Sequence, residues 1–154
     1  MEPNETCGPT YYNGRFRHGL DEKRRLQIPA RWRPAKAGME FTLVIWPKAK
    51  EGTCLRVLTP VIMEKMMQEI EAMPNSDPNK TVLKRYIGGN SAQVALDSAG
   101  RVCIPEDLAK AAAITDQVVL VGLMDRFEIW APEPHDKIKA ADEVMAQEAF
   151  KLMQ

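Results

Sequence analysis

The sequence predicts an α+β fold built from two pseudo-symmetric halves, each with the order β-β-α-β-β-α. A ten-residue pattern occurs twice, 76 positions apart, as LDEKRRLQIP at residues 20–29 and LDSAGRVCIP at residues 96–105. Such self-similarity indicates a doubled structural unit. Strand-like runs and turn residues surround both copies in the same order. Because neither half is large enough to close a core alone, we expect interleaved hairpins in one small barrel with flanking helices.

The first half is predicted over residues 14–80, after a mobile tail at residues 1–13 whose Tyr11 and Tyr12 could dock onto the fold. Residues 15–20 and 25–28 are predicted as strands of one hairpin with a polar tip. Pro29 suits the first position of a helix, which Pro34 should keep short. The elements that follow are strands at 41–46 and 54–58, a helix with apolar residues at helical spacing over 61–73, and a linker at 73–80.

The second half is predicted over residues 81–154 and repeats this order. Glu106 and Asp107 fall in the first turn of its central helix, where the helix dipole favours acidic residues. The final segment has helix-forming composition without Gly or Pro. The predicted elements are strands at 92–96 and 101–104, a helix at 105–113, strands at 118–122 and 126–130, and a C-terminal helix at 136–154.

The charge distribution is more informative than the net charge, which is zero. Residues 1–50 contain ten Lys or Arg and five Asp or Glu, whereas the remainder contains eleven and sixteen. The basic excess surrounds the first copy of the repeat and comprises Arg15, Arg17, Lys23, Arg24, Arg25, Arg31 and Arg33. A solvated face and a nucleic-acid contact both explain such a cluster.

The cysteines and the terminal sequence bear on the cellular compartment. Cys7, Cys54 and Cys103 are odd in number and widely spaced, which argues against a disulfide framework or a zinc site and favours a reducing cytosol. No signal peptide and no apolar run long enough to span a bilayer is visible. We therefore expect a cytoplasmic protein without a membrane partner.

The repeated Asp-x-x-x-Arg motif carries the candidate site. Asp21 and Asp97 stand where a turn begins, so that each carboxylate can accept backbone N–H groups and pair with Arg25 or Arg101 across the turn. Gly100 tolerates the positive φ that a tight turn requires. One interpretation is that each pair only stabilises its turn. The other is that both arginines face outward, where a guanidinium can bind phosphate or the edge of guanine.

The first tip also carries Lys23 and Arg24, whose adjacent charges suit phosphate contact. Two copies of the same arginine, together with these added charges, favour an outward-facing nucleic-acid surface. A two-stranded β-ribbon is narrow enough to enter the major groove.

The doubled LD-x-x-x-R-(L/V)-x-IP pattern resembles the MraZ family, whose halves are each similar to an AbrB-type swapped-hairpin unit. PARWR at residues 29–33, Ala92, and GLMDRFEIW at residues 122–130 extend the resemblance over about residues 14–132. It implies a bacterial transcription regulator of the division and cell-wall gene cluster, associated with the nucleoid. Such regulators form closed rings that bind direct repeats in promoter DNA. The resemblance assigns DNA contact to Asp21 with Arg25 and to Asp97 with Arg101.

The sequence departs from the family at the first tip, where Lys-Gly-Arg is usual and this chain has Lys23, Arg24 and Arg25. Without glycine we expect a different turn, with the added charge available for phosphate. The tail at residues 1–13 is also longer than is usual in the family.

Other classes of function have less support. A structural or protein-interaction ring module, in which the Asp–Arg pairs only fix turns, is the alternative to a DNA-binding regulator. An enzyme is not expected, because no acid, base and nucleophile are grouped in a motif. His18 and His135 have no partner at ligand spacing, so a metal is not expected. No glycine-rich loop has phosphate-binding spacing, and neither another cofactor nor a small-molecule substrate is expected. Trp32, Trp46 and Trp130 are predicted to be packing residues.

Overall fold

The computed structural model describes residues 11–48, 50 and 52–154. Most of the predicted tail, residues 1–10, lies outside this part. The strands within it are β1 (Arg15–Gly19), β2 (Arg25–Gln27), β3 (Glu40–Lys48), β4 (Gly52–Leu58), β5 (Ser91–Ala95), β6 (Arg101–Cys103), β7 (Gln117–Gly122) and β8 (Phe127–Trp130). The helices are α1 (Pro60–Glu71), α2 (Pro78–Gly89), α3 (Glu106–Ala111) and α4 (Pro132–Phe150), with 3-10 turns at Ala30–Trp32 and Lys151–Met153.

The strands form a six-stranded antiparallel sheet in the order β1-β7-β8-β4-β3-β5 and a separate ribbon of β2 and β6. Strands of the two predicted halves interleave in both sheets. β1 pairs with β7, β5 with β3, β4 with β8, and β2 with β6. The predicted α+β class is thereby confirmed, and both sheets are antiparallel. Its assignment to an AbrB-like swapped-hairpin barrel stays a prediction.

The predicted pairing within the first hairpin is wrong. β1 and β2 do not form a ladder with each other, and a single bridge between Leu20 and Leu26 joins the chain on either side of the loop. The N–H of Leu20 instead donates to Asp116 O at 2.8 Å. The chain therefore leaves the large sheet at Leu20 and enters the ribbon. Alternation of apolar residues indicates which face of a strand is buried but does not identify its partner.

The helix boundaries follow from their caps. Thr59 Oγ1 accepts the N–H of Ile62 at the start of α1, and Asp77 Oδ1 accepts the N–H of Asn79 at the start of α2. Helix α2 therefore begins three residues inside the predicted linker. The helix after Pro29 is a single 3-10 turn, which agrees with the predicted short helix. Helix α4 begins at Pro132, earlier than predicted, because proline is tolerated in the first turn of a helix.

An aromatic cluster forms the part of the core beneath the N-terminal segment. Trp32 is fully buried and lies 4.9 Å from Phe127 and 5.1 Å from Phe16, measured between ring centroids. Tyr12, from the predicted tail, is also buried and lies 5.7 Å from Trp32. The close approach of Tyr12 depends on Gly122, where an added Cβ would lie 2.3 Å from the Tyr12 carbonyl oxygen. Burial raises the pKa of Tyr12 to about 12.

The other two tryptophans have different surroundings. Trp130 is buried, as predicted. Trp46 is half-buried and its ring lies 4.1 Å from the guanidinium carbon of Arg56, a cation–π contact. Within residues 11–48, 50 and 52–154, no helix has the length and hydropathy needed to cross a membrane.

Candidate nucleic-acid interface

The first loop is closed by the carboxylate of Asp21. Its Oδ1 accepts the N–H of Lys23 at 2.9 Å and the N–H of Arg25 at 2.8 Å, while Oδ2 accepts Arg25 Nε at 2.6 Å. The backbone closes the same turn, because the N–H of Arg24 donates to Asp21 O at 2.9 Å. One carboxylate therefore fixes both the turn and the direction of the arginine that follows it.

The second loop repeats this geometry. Asp97 Oδ1 accepts the N–H groups of Ala99 and Arg101 at 2.9 Å each, and Oδ2 accepts Arg101 Nε at 3.0 Å. The N–H of Gly100 donates to Asp97 O at 3.0 Å. The predicted pairing of Asp with Arg across the turn is thus present in both copies.

The expectation of a different turn at the first tip is wrong. Arg24 adopts φ +59°, in the left-handed region, where Gly100 adopts φ +81° in the second loop. A side chain at such a φ costs about 1–2 kcal/mol. The surroundings offset this cost, because Arg24 Nε donates to Ile104 O at 2.9 Å and the N–H of Ile104 donates to Arg24 O at 2.9 Å.

Both carboxylates are held in their charged form. Backbone donation from Arg25, assisted by its guanidinium, lowers the pKa of Asp21 below its ordinary value. Backbone donation from Arg101 does the same to the pKa of Asp97. The Asp–Arg pairs therefore persist as ion pairs at neutral pH.

The ribbon register decides which side chains share a face. Arg25 pairs with Cys103, and Gln27 pairs with Arg101. Opposite residues of an antiparallel ladder point to the same side, and residues two apart on a strand do so too. Leu26 and Val102 point to the core, since they are 0% and 2% exposed. The outward set is Arg25, Gln27, Arg101 and Cys103.

The two arginines of this face are diagonal neighbours, so their Cα atoms lie about 7–8 Å apart. Their side chains are 35% and 32% exposed. Each Nε is bound to its aspartate. Among the described residues, the Nη groups of Arg25 and Arg101 have no hydrogen-bond acceptor. The arrangement presents two oriented guanidinium edges on one narrow surface, which we call the ribbon face.

Gln27 and Cys103 were not predicted as members of this surface. Gln27 Nε2 donates to Ala99 O at 2.8 Å, and Cys103 Sγ donates to Lys23 O at 3.4 Å. Each side chain therefore bridges to the loop of the other half. Alternation along a strand places residues 25 and 27 on one face, so the sequence held the signal for Gln27. The partner strand that brings Arg101 to the same face could not be read from it.

The basic residues of the first half do not form one continuous surface in the structure. Lys23 is exposed at the first tip, and Arg24 is half-buried with its Nε bound to a carbonyl. On β1, Arg15 Nε donates to His135 Nε2 at 3.2 Å and Arg17 Nη2 donates to Asp136 Oδ1 at 3.0 Å. These two arginines therefore pair with α4 rather than join the ribbon face.

Neither histidine lies in a metal-binding group. His135 is buried against Arg15 and Asp136, and exposed His18 contacts the carbonyl of Gly19. In the ranges that the structure covers, no three His, Cys, Asp or Glu side chains are grouped so as to hold a metal ion.

The fold and the loops together define a class of protein: a duplicated α+β chain in which an Asp-x-x-x-Arg loop from each copy ends at a shared β-ribbon. A family model described as "MraZ protein, putative antitoxin-like" matches residues 88–152. A protein of Caulobacter vibrioides (strain NA1000 / CB15N), named "Transcriptional regulator MraZ", is 32% identical over 138 residues, which are 90% of this chain and 88% of that protein. The chain belongs to the MraZ family.

Two further relatives carry the same name. The protein of Phenylobacterium zucineum (strain HLK1) is 32% identical over 135 residues, which are 88% of this chain and 84% of that protein. The protein of Rickettsia akari (strain Hartford) is 30% identical over 139 residues, which are 90% of this chain and 93% of that protein. The similarity therefore extends over nearly all of the described fold and includes both loops.

Proposed function

We propose that this chain is a sequence-specific DNA-binding transcription regulator that contacts promoter DNA through the ribbon face and its two loops. The observation that carries the proposal is the matched geometry of Arg25 and Arg101. Two guanidinium groups, each bound through Nε to an aspartate, lie on one surface, and among the described residues their Nη groups have no acceptor. The names of the relatives support a regulator rather than an enzyme.

The ribbon face fits the major groove in both size and chemistry. The groove is about 12 Å wide and admits a two-stranded β-ribbon. An arginine whose Nε is fixed can still present both Nη groups to O6 and N7 of guanine, the commonest specific contact in protein–DNA complexes. Asp21 and Asp97 thereby act through the arginines, because they set the plane of each guanidinium before binding.

Lys23 suits a supporting contact with phosphate. It is exposed at the first tip, and its side chain can follow the DNA backbone beside the groove. Arg24 also belongs to the proposed DNA-binding surface, where its Nε is bound to Ile104 O rather than free for phosphate. Each phosphate neutralised in this way steepens the decrease of affinity with salt, by about 0.9 in the slope of log K against log salt.

Self-association is the second part of the proposal. An apolar groove of about 340 Å³ lies between α2 and β3, and a second exposed apolar surface lies at the end of α4. Exposed patches of this kind mark protein contacts. Helix α2 carries three Lys or Arg and no acid, which suits an acidic partner such as α4 of a second copy. The groove residues are Val44, Trp46, Pro47, Val82, Leu83, Tyr86 and Ile87; the exposed residues of α4 and its last turn are Val144, Met145, Phe150, Leu152 and Met153.

A closed ring of such copies would explain how a chain of zero net charge holds DNA. A ring presents one ribbon face per protomer, so direct repeats at matching spacing are bound by several protomers at once. After the first contact the others become intramolecular, and weak single contacts add up to strong binding. We propose that the repeats lie in a promoter of the bacterial division and cell-wall gene cluster, and that the protein works in the cytoplasm on the nucleoid.

The interleaved pairing of strands from residues 14–80 and 81–154 supports assignment of the fold to the AbrB-like swapped-hairpin class. The loop at residues 21–24 leads into β2 and the loop at residues 97–100 leads into β6, so that the shared ribbon connects both loops. This placement suits the proposed contact, because both arginines then approach the same groove.

The decisive experiment measures binding to a promoter fragment that contains the direct repeats. The double variant Arg25→Ala, Arg101→Ala should bind at least about tenfold more weakly than the wild type, since each guanine contact contributes about 1–3 kcal/mol. Arg126→Ala is the matched control, because it breaks an Arg–Asp pair at the β7–β8 turn, away from the ribbon. Unchanged binding by a folded double variant would reject the ribbon face as the DNA contact.

One observation favours a second candidate, a ring-forming interaction module without DNA readout. The carboxylates of Asp21 and Asp97 are fully engaged in holding their own turns. Arginine pairs that only stabilise turns would give the same local geometry. That module would assemble normally, and any affinity for DNA would be indifferent to both sequence and the two arginines. Light scattering of the double variant, together with the binding assay, separates the two candidates.

A further inference from the structure

Each end of the β2/β6 ladder is closed by an arginine that donates to a backbone carbonyl. At one end the N–H of Ile104 donates to Arg24 O, and Arg24 Nε donates back to Ile104 O, both at 2.9 Å. At the other end the N–H of Ile28 donates to Gly100 O at 3.0 Å, and Ile28 O accepts Arg33 Nε at 2.9 Å. Each end therefore has one guanidinium bound to the carbonyl of the same repeat position, Ile104 at one end and Ile28 at the other.

The two arginines come from positions that are not equivalent in the repeat. An offset of 76 residues relates Arg24 to Gly100 and Arg33 to Ala109. At the Ile104 end the loop itself supplies the guanidinium. At the Ile28 end the loop has Gly100, and the guanidinium belongs to Arg33, which lies outside both ribbon strands. A Cβ on Gly100 would lie 2.5 Å from Arg33 Cζ, so the site has room for one guanidinium only.

We propose that Arg24 and Arg33 are positioning residues for the DNA contact. Each holds the loop residue that directly precedes a ribbon-face arginine. Arg24 fixes the backbone before Arg25, and Arg33 binds Ile28, whose N–H donates to Gly100 O before Arg101. Arg24 therefore stabilises the loop to which it belongs and does not bind phosphate. The inference rests on the proposed function, because it assigns the DNA contact to the arginines that these two residues orient.

A reciprocal substitution in the second loop tests the inference. Arg33→Ala removes the donor from Ile28 O, and Gly100→Arg places a side chain against Arg33. The double variant rebuilds at Ile28 the arrangement that Arg24 has at Ile104, and Arg24 shows that the turn accepts arginine at a φ of +59°. We expect each single variant to bind DNA about tenfold more weakly and the double variant to recover wild-type affinity.

The control separates positioning from general loss of stability. Val119 is a buried residue of β7, 1% exposed, and is not part of the β2/β6 ladder. Val119→Ala removes core contacts and lowers stability, but it should leave the DNA affinity of the folded protein unchanged. The inference is overturned if the double variant binds no better than the weaker single variant, or if both single variants bind as the wild type does. A wild-type protein that binds no repeat DNA overturns the proposed function as well, so the two failures are distinguishable.

The salt dependence of Arg24→Gly supplies the second test. If Arg24 orients the loop, this variant binds more weakly, its slope of log K against log salt is unchanged, and the amide of Arg25 exchanges faster with solvent. If Arg24 contacts phosphate directly, the slope falls by about 0.9 and the exchange of that amide is unaltered, which overturns the inference for this residue. Lys23→Ala is the matched comparison, because the proposed function expects the slope to fall there.

Discussion

Replacing Glu128 with alanine removes a carboxylate that accepts hydrogen bonds from buried Trp130 and from partly buried Arg56. Glu128 is 7% exposed; its Oε2 accepts Arg56 Nε at 2.9 Å and its Oε1 accepts Trp130 Nε1 at 2.9 Å. Arg56 and Glu128 are directly opposite on β4 and β8, the central strand pair between the two halves. The ion pair therefore joins residues 14–80 to residues 81–154, the two predicted halves.

The expected loss of stability follows from what the substitution leaves behind. The Arg56 side chain is only 18% exposed, so in the variant its charge is left largely out of water without an anion. Removing one member of a buried pair costs about 3–5 kcal/mol. The indole N–H of Trp130 also loses its acceptor, but the two losses overlap and do not add in full. A chain of this size loses about 2–4 °C of Tm per kcal/mol, so we expect Tm to fall by about 10 °C.

Thermal unfolding at one fixed protein concentration measures this loss, because self-association would link Tm to concentration. The double variant Glu128→Ala, Arg56→Met should recover a large part of it, since no buried charge is then left alone. The reasoning is refuted if Glu128→Ala unfolds within about 2 °C of the wild type, or if the added Arg56→Met lowers Tm further.

Three further predictions concern the N-terminal segment, the two loops and the promoter DNA. Gly122→Ala should lower Tm and raise the solvent accessibility of Tyr12, because the added methyl would meet the Tyr12 carbonyl; unchanged accessibility would contradict this. Asp21 and Asp97 have lowered pKa values, so the stability they give the loops is complete above their ordinary 3.8 and is lost as pH falls through the lowered pKa. NMR shifts of the loop amides should show this acid transition, and an Asn at either position should remove it from that loop. Inverting every second promoter repeat should weaken binding, and equal affinity would argue against protomers that all face one way.

The sequence was sufficient for the fold class and for most strands, and insufficient for their partners. The repeat located both loops and the strands around them. Residues 15–20 and 25–28 read as one hairpin because neighbouring strands commonly pair, yet β1 belongs to the large sheet and β2 to the ribbon. Helix α2 could have been found, since Asp77 before Pro78 is a typical helix start. Strands of residues 14–80 pair with strands of residues 81–154 because together they enclose one core. A local sequence pattern carries no information about such long-range pairing.

The candidate site likewise has features that the sequence predicted and features that it did not. The Asp–Arg contact across each turn follows from residues four apart and was predicted in both copies. The turn at Arg24 was predicted wrongly, because its unfavourable φ is compensated by Ile104, 80 residues away in the sequence. The expectation from the local sequence was reasonable: glycine is the usual residue at a positive φ. Only the interleaved ribbon brings the compensating carbonyl to this arginine.

The two copies of the repeat have diverged in charge while keeping their shape. The inward residues remain apolar, as Leu26 and Val102 show, and both loops have the same hydrogen bonds. The tips differ, because Lys23 stands where the second copy has Ala99. The ribbon is symmetric in shape but not in charge. In the proposed complex, phosphate contact by Lys23 would therefore favour one orientation of the ribbon on the DNA. Protomers related by rotation about a ring axis would all share that orientation, and direct rather than inverted repeats are the DNA that matches them.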